Sequence, residues 1–339
     1  MWVAVVVVSL ALFFAYSSGF HDGGNVVSTI IMTRAISPRK ALLMAAACEF
    51  VAPFFLGSAV AKMIGENIIN LPAYDPKAMN ISVAFLIAAL LGAILWNLMT
   101  WFFGFPSSST HALIGGMVGA VLVAYGPHKI LWGGLVYVAA SLVISPLLGF
   151  IFGMLFLKMT LRIFRNATPR INYFFNRMQI PSSVALALSH ASNDVQKSIG
   201  LIALSLVLFG YSTSFHVPIW VIASCGAATA LGTATGGRRI IRTMGSRIYR
   251  LRSVHAFCAQ TSSAIVILGA ALVGGPVSTT HVVSSGIMGV GAGQRISAVR
   301  WGLAKNIILA WFITIPASAL MAGLSFHIVQ KILFYVQKG

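Results

Sequence analysis

Eight apolar segments recur along the chain, and most are long enough to cross the hydrocarbon core of a bilayer, which takes roughly 20 helical residues. Of the 339 residues, 58% are hydrophobic and only 8% are charged. That composition excludes a soluble globular domain of ordinary type. We therefore predict an all-α, multi-pass membrane protein. The segments are 1–20, 41–64, 81–103, 130–157, 184–209, 217–231, 254–273 and 303–335.

Basic residues lie in four clusters between apolar segments, which explains a formal net charge of +18. Because Lys and Arg concentrate in cytoplasmic loops of membrane proteins, we predict that all four clusters are cytoplasmic and that both chain termini are outside. Anionic membrane lipid is a secondary expected contact, and no nucleic acid partner is expected. The clusters are Arg34, Arg39, Lys40; Lys158, Arg162, Arg165, Arg170, Arg177; Arg238, Arg239, Arg242, Arg247, Arg250, Arg252; and Arg295, Arg300, Lys305.

A proline, a run of hydroxyl residues and a histidine occur together twice, in GFPSSSTHALIG at 104–115 and GPVSTTHVVSSG at 275–286. At a helix start, such residues offer backbone N–H groups, hydroxyl donors and the positive end of a helix dipole, which predicts an anion site. Helix caps and small packing residues are the alternative, although capping alone does not need two such runs. The candidate ligands are Ser107, Ser108, Ser109, Thr110, Ser278, Thr279 and Thr280.

Two acidic motifs repeat at nearly the same spacing, GFHDGGN at 19–25 and ASNDVQK at 191–197. The basic clusters direct the two hydroxyl-rich tips toward each other from opposite sides, as expected for one unit that is duplicated and inverted. We predict two inverted-topology repeats, 1–157 and 183–339, joined by a basic cytoplasmic linker, 158–182. Each repeat would contain a re-entrant helical hairpin, because the arms at 112–124 and 281–293 are too short to span.

Three acidic residues, Asp22, Glu49 and Asp194, lie in apolar sequence, where an ionised carboxylate costs roughly 3 kcal/mol. For Asp194 a structural salt bridge with Lys197 is one explanation. Otherwise the carboxylates bind a travelling cation or proton, and an anion beside them needs that positive charge, which predicts co-transport. For Glu49, membership of the cation path and a role as a hydrogen-bonded buried acid both stay open.

The chain resembles the inorganic phosphate transporter (Pit) family of secondary transporters. The likeness rests on GFHDGGNVVST, FGFPSSSTHALIGG, SHASNDVQKSIG and GPVSTTHVVSS in family order, and it extends to WNLMTWFFG and Gln260. The resemblance implies symport of inorganic phosphate with a cation through an inverted-repeat fold in a bacterial inner membrane, often as a homodimer. It does not imply an enzyme.

Many members of that family carry Asn-Asp, and then Asn three residues later, in both acidic motifs. Asn193 and Asn25 keep the pattern and are expected to bind substrate, whereas His21 and Lys197 depart from it. The departures replace neutral oxygen ligands suited to sodium with a titratable group and a cationic group. We expect Lys197 to supply a fixed positive charge beside the anion.

These departures resemble the bacterial low-affinity branch of the family, which implies proton coupling and admits uptake of phosphate as a neutral metal complex. His111 and His281 follow the hydroxyl runs and are expected to be structural partners of the hairpins, while His190 fits either role. The scattered cysteines lack metal-ligand spacing, so no metal site or cofactor is predicted. The residues expected to carry the coupling cation or proton are Asp22, Asp194, His21 and Glu49.

Three rival functions remain. Sodium-coupled phosphate symport and transport of another oxyanion, such as sulfate, use the same residue types. A Ser-His membrane hydrolase would need one activated nucleophile and an oriented base, whereas this chain offers two near-equivalent motifs. The duplication favours transport.

Overall fold

The computed structural model describes residues 2–71, 79–105, 107–236, 241 and 251–338. Within those ranges the regular structure is eleven α-helices and three short 3-10 turns, with one isolated bridge between Ile69 and Ile130. The all-α prediction is confirmed. The helices are α1 Trp2–Met32, α2 Pro38–Val51, α3 Ala59–Glu66, α4 Met79–Phe103, α5 Ser109–Ala124, α6 Trp132–Ile163, α7 Ile171–Leu208, α8 Ile219–Thr235, α9 Ser253–Leu272, α10 Thr279–Gln294 and α11 Trp301–Lys338.

Five helices of the described chain are long and apolar enough to cross a membrane: α1, α4, α6, α9 and α11. The bent pair of α2 and α3 forms a sixth if it is one span. Helix α7 is long enough too, at 38 residues, but its middle carries the polar SHASNDVQK stretch. The chain is therefore built as a multi-pass membrane protein, and the sequence prediction holds.

The predicted helix over 41–64 is wrong, because the chain breaks between α2 and α3. A 3-10 turn at Ala52–Phe54 follows α2, and the two helices meet at 73°. Pro53 lacks an N–H for a continuing helix, and Gly57 adopts a φ of +76°, which other residues rarely tolerate. Segment 1–20, by contrast, continues without a break to Met32, so the first acidic motif lies inside α1.

Each short hydroxyl-led helix is enclosed by one helix of its own half and one of the other. Helix α5 packs against α4 and α11, whereas α10 packs against α9 and α6. Helices α1 and α7 carry the acidic motifs, and they pack on α8 and α9 respectively and on each other. The polar motifs of both halves are thereby brought to one place.

The predicted linker 158–182 is mostly helical. Its first residues end α6, its last residues begin α7, and only 164–170 lie between the two helices. The inverted relation between the halves stays a prediction, as do their boundaries at 157 and 183. Most of the third basic cluster, at 238–250, lies outside the described residues, and so does Pro106 of the first hydroxyl motif.

Candidate functional site

The two hydroxyl motifs form the first turns of α5 and α10, with a serine capping each helix. Ser108 Oγ accepts a hydrogen bond from the His111 N–H at 3.2 Å, and Ser278 Oγ accepts one from the His281 N–H at 3.3 Å. A cap of this kind satisfies the third helical N–H, and the first two have no partner within the helix. Both serines are therefore caps, and each cap leaves two N–H groups at the positive end of a dipole.

The two tips meet in the interior of the protein. Thr110 donates its hydroxyl hydrogen to the carbonyl oxygen of Val277 at 2.9 Å. Just behind the tips, the imidazole rings of His111 and His281 lie 4.5 Å apart, and His281 stacks on Trp311 with ring centroids 3.8 Å apart. These contacts fit the structural role expected for the two histidines.

Lys197 joins the acid of the second half to the tip of the first. Its buried ammonium donates to Asp194 Oδ1, to Ser109 Oγ at 3.1 Å and to Thr110 Oγ1 at 2.8 Å. An ammonium has three donors, and all three are used here. The salt bridge considered from sequence is therefore present, but the same cation also contacts the hydroxyl tip.

Asn25 occupies the corresponding place in the first half. Its amide nitrogen donates to Thr280 Oγ1 at 2.7 Å, and Thr280 in turn donates to Asp22 Oδ1 at 2.9 Å. His21 Nδ1 lies 2.9 Å from the same carboxylate oxygen. In each half, the residue three positions after the aspartate thus contacts the threonine of the opposite hairpin.

Three buried acceptor atoms at this centre have no hydrogen-bond partner in the described structure: Asp22 Oδ2, Asp194 Oδ2 and Asn25 Oδ1. Buried acceptors are nearly always satisfied, and leaving one unpaired costs about 1–3 kcal/mol. Unsatisfied oxygens beside N–H groups and hydroxyls are suited to hold a cation or proton together with an anion.

Asn193 was expected to bind substrate, but here its amide holds the second hairpin. The nitrogen donates to the Gly275 carbonyl at 2.9 Å, and the oxygen accepts from the Val277 N–H at 3.2 Å. The side chain therefore fixes the backbone just before the tip. Thr279, its neighbour Thr280 and Ser109 are all buried at the tips.

Ser107 and His21 are linked through a residue that the sequence analysis did not assign. The hydroxyl oxygen of Thr100, on α4, lies 2.8 Å from Ser107 Oγ and 3.4 Å from His21 Nε2. One turn earlier, Asn97 is buried, and neither of its amide atoms has a hydrogen-bond partner among the described residues. Two polar residues three positions apart in the apolar WNLMTWFF stretch share a helix face, and that was the available signal.

Glu49 lies in a separate cluster, away from the hydroxyl tips. Its Oε2 is 2.5 Å from Thr233 Oγ1 on α8, and its Oε1 is 3.3 Å from His190 Nε2 on α7, the latter pair lacking hydrogen-bond geometry. All three side chains are fully buried. Among the described residues, no group of three or more His, Cys, Asp or Glu side chains is placed to hold a metal ion.

Comparison with known proteins identifies the family. Residues 18–322 match the model of the family described as "Phosphate transporter family". The chain belongs to the phosphate transporter family. A "Probable low-affinity inorganic phosphate transporter" of Rhizobium meliloti (strain 1021) is 45% identical over 324 residues, which cover 95% of each chain. A protein of the same name from Bacillus subtilis (strain 168) is 38% identical over 97% of this chain and 98% of its own.

This phosphate transporter family member also resembles a solved structure titled "The sodium-dependent phosphate transporter". The TM-score is 0.87 over 98% of this chain and all of that one, at 24% sequence identity. At that identity the likeness shows the fold. The family resemblance drawn from the four motifs is confirmed. Residues of these motifs form the site described above.

Proposed function

We propose that this chain is a secondary active symporter that takes up inorganic phosphate together with protons across a bacterial inner membrane. Its family and the names of its relatives support phosphate as the substrate. The observation that carries the proposal is the position of the Lys197 ammonium. It lies between the Asp194 carboxylate and the hydroxyls of the first hairpin tip.

Phosphate binding follows from what the two tips present. The first two N–H groups of α5 and of α10 have no partner within their own helix, and the hydroxyls of Ser109, Thr110 and Thr280 lie in the same first turns. Phosphate is recognised by such donors at helix N-termini. Lys197 adds a positive charge that is already desolvated, and so it cancels the repulsion that Asp194 would exert on the anion.

Proton coupling follows from the charge that is left. Among the described residues, the ion-pair partner of Asp22 is a histidine and not a lysine: His21 Nδ1 lies 2.9 Å from Asp22 Oδ1. Because an imidazole beside a carboxylate can take up a proton, protonation of this pair removes the remaining net negative charge and admits phosphate. Release of phosphate inside then allows the proton to leave. Uptake is thereby tied to the proton gradient.

Sodium coupling is the second candidate, and one observation favours it. Asp22 Oδ2 and Asn25 Oδ1 are unpartnered oxygens, the ligand type that a hard cation prefers. The solved structure with the same fold is titled a sodium-dependent transporter. A sodium ion at these oxygens would neutralise Asp22 as a proton on His21 does.

Proton coupling and sodium coupling are distinguished by the ion gradient that drives uptake. Purified protein in sealed liposomes is given an inward proton gradient without sodium, and then an inward sodium gradient at equal pH. We expect labelled phosphate to accumulate only in the first case. Accumulation that is driven by sodium and does not depend on pH would show that sodium, and not the proton, is the coupling ion.

Two further measurements separate the other rivals. Excess sulfate should leave labelled phosphate uptake unchanged, because sulfate cannot share protons with the site near neutral pH; equal competition would indicate a general oxyanion carrier. Addition of a divalent metal distinguishes free phosphate from a neutral metal complex, which would be taken up faster. Ester or peptide hydrolysis without accumulation would support the hydrolase.

We also propose that the protein is a homodimer in contact with membrane lipid, with both termini outside and the basic loops in the cytoplasm. The described basic residues Arg162, Arg165 and Arg170 are exposed at the adjoining ends of α6 and α7, as cytoplasmic anchors require. Mass measurement in detergent tests the dimer. Labelling of a single cysteine at either terminus from outside intact cells tests the orientation.

A further inference from the structure

We infer that Glu49 is a neutral carboxylic acid in this conformation, and that it is a second proton site, separate from the phosphate site. The inference rests on the proposed function only in taking the proton as the coupling ion. The sequence left two roles open for Glu49, a member of the cation path and a hydrogen-bonded buried acid. The inference assigns it to the cation path. The evidence is how the hydrogen atoms around Thr233 must be distributed.

The Thr233 hydroxyl has two acceptors within hydrogen-bond distance and only one hydrogen to give. Its Oγ1 lies 3.1 Å from the carbonyl oxygen of Gly19 on α1 and 2.5 Å from Glu49 Oε2 on α2. A hydroxyl donates once but accepts twice. Both contacts are hydrogen bonds only if Glu49 carries a hydrogen on Oε2 and donates it to Thr233, which then donates to Gly19.

An ionised Glu49 would be poorly satisfied in this pocket. A carboxylate accepts at about four positions, yet within the described structure Thr233 is its single hydrogen-bond donor, and Oε1 has none. The side chain has no exposed surface. Burying an unpaired charge costs far more than burying a hydrogen-bonded neutral acid. The neutral form therefore fits the surroundings that the fold provides.

The charges around Glu49 agree with that reading. Helix α2 packs against α1, α7, α8 and the 3-10 turn Ala52–Phe54, which has no ionisable side chain. Asp194 on α7 disfavours another negative charge at Glu49, and His190, 3.3 Å from Glu49 Oε1, offsets this effect only when its imidazole carries a second proton. The buried ionisable groups on these elements are His190, Asp194 and Lys197 on α7, His21 and Asp22 on α1, and Cys225 on α8.

Glycine contacts make this hydrogen-bonded chain possible, and they tie it to helix position. A Cβ on Gly23 would lie 2.6 Å from Thr233 Oγ1, so only glycine lets α8 approach α1 so closely. The chain Glu49–Thr233–Gly19 then connects α2, α8 and α1. When the proton leaves Glu49, Thr233 has two acceptors for one hydrogen, and one of the two links is lost.

His190 provides the exit for the proton. Its Nε2 lies 3.3 Å from Glu49 Oε1, whereas the hydrogen of the acid is on Oε2, toward Thr233. The carboxyl group therefore first turns so that its O–H faces His190, and the transfer then breaks that O–H bond and forms an N–H bond on the imidazole. Nothing else is consumed, since Glu49 becomes a carboxylate and His190 an imidazolium. His190 stands four residues before Asp194 on α7, on the same helix face. A proton path thus runs from the separate site toward the phosphate site.

Infrared difference spectroscopy tests the proton directly. A neutral carboxylic acid has a carbonyl stretching band that a carboxylate lacks, and we expect the wild-type protein at neutral pH to show a band that disappears in Glu49→Gln. Thr233→Val should shift that band, because it removes the acceptor, whereas Thr233→Ser should leave it in place. Absence of any acid band assignable to Glu49 would overturn the inference, whatever drives uptake.

Transport supplies the second readout. Glutamine imitates the neutral acid but cannot release a proton, so the phosphate accumulation ratio of Glu49→Gln under a proton gradient should fall to one. Glu49→Asp is the matched control and should retain part of the ratio. Full accumulation by Glu49→Gln would contradict the inference. Wild-type uptake driven by sodium alone would instead defeat the proposed function and leave the infrared result standing.

Discussion

The two acidic motifs occupy equivalent places but carry different charges. Asp194 faces Lys197, a cation built into the chain, whereas Asp22 faces Asn25 and His21, neither of which holds a permanent charge. Both halves contact the opposite hairpin through the same threonine position, Thr110 or Thr280. One half therefore has a cation built into the chain and the other does not, so the two motifs differ in charge although their positions correspond. Under the proposed function, the coupling ion would supply the missing charge beside Asp22.

Asp194→Asn should have the largest effect, because it leaves the Lys197 ammonium buried without its partner. Removing one member of a buried ion pair costs about 3–5 kcal/mol, so we expect loss of phosphate uptake together with a clearly lower melting temperature in detergent. The double variant Asp194→Asn, Lys197→Asn should recover stability. An unchanged melting temperature in the single variant would show that the pair is not buried as described.

Asp22→Asn should abolish proton-driven uptake just as completely and yet leave stability nearly unchanged. No lysine is stranded in this half, and the change replaces hydrogen bonds worth about 1 kcal/mol each. Uptake and thermal melting measured on the same preparation separate the halves. Equal destabilisation by Asp22→Asn and Asp194→Asn would remove the distinction between fixed and exchangeable charge.

His21→Asn should flatten the pH dependence of uptake. The substitution replaces the neighbour of Asp22 that can take up a proton with a neutral amide that cannot. We expect a rate reduced roughly tenfold at the wild-type optimum, which corresponds to about 1.4 kcal/mol. His281→Asn is the comparison, since that histidine lies behind the tip. If His21→Asn keeps the wild-type pH profile, another group carries the coupling proton.

The capping serines should give the smallest effects, and equal ones. Ser108→Ala and Ser278→Ala each remove a cap of the same geometry, which costs about 1 kcal/mol of stability. Ser108→Thr and Ser278→Thr keep a capping hydroxyl and should therefore keep the wild-type stability. A large loss of phosphate binding in one variant only would mean that its serine contacts the ligand as well as the helix.

Much of the fold was readable from the sequence, because apolar segments of bilayer length leave few choices. The break after α2 was not, although Pro53 and Gly57 were visible, since neither excludes a helix alone in a membrane bundle. The tip hydroxyls and both aspartates were found from their repetition. The backbone partners of the Asn193 amide were not foreseen, because they lie more than 80 positions away, and its contact with substrate stays a prediction.

Thr100 and Thr233 were missed for a related reason. A single threonine in an apolar helix is ordinary, because its hydroxyl can bond the preceding turn of its own helix. Only the fold reveals that Thr233 also reaches Glu49, 184 positions away, and that Thr100 lies between His21 and Ser107. Contacts of this kind carry no local pattern.

The sodium dependence of phosphate binding to Lys197→Asn tests the fixed cation most directly. The substitution makes the second motif resemble the first and opens a place beside Asp194. We predict that wild-type binding is insensitive to sodium at constant pH, that binding by Lys197→Asn is weaker by at least about tenfold, and that sodium restores it. Lys197→Met, which offers no oxygen ligand, should not respond. Unchanged binding by Lys197→Asn, or equal sodium dependence in wild type, would contradict the account.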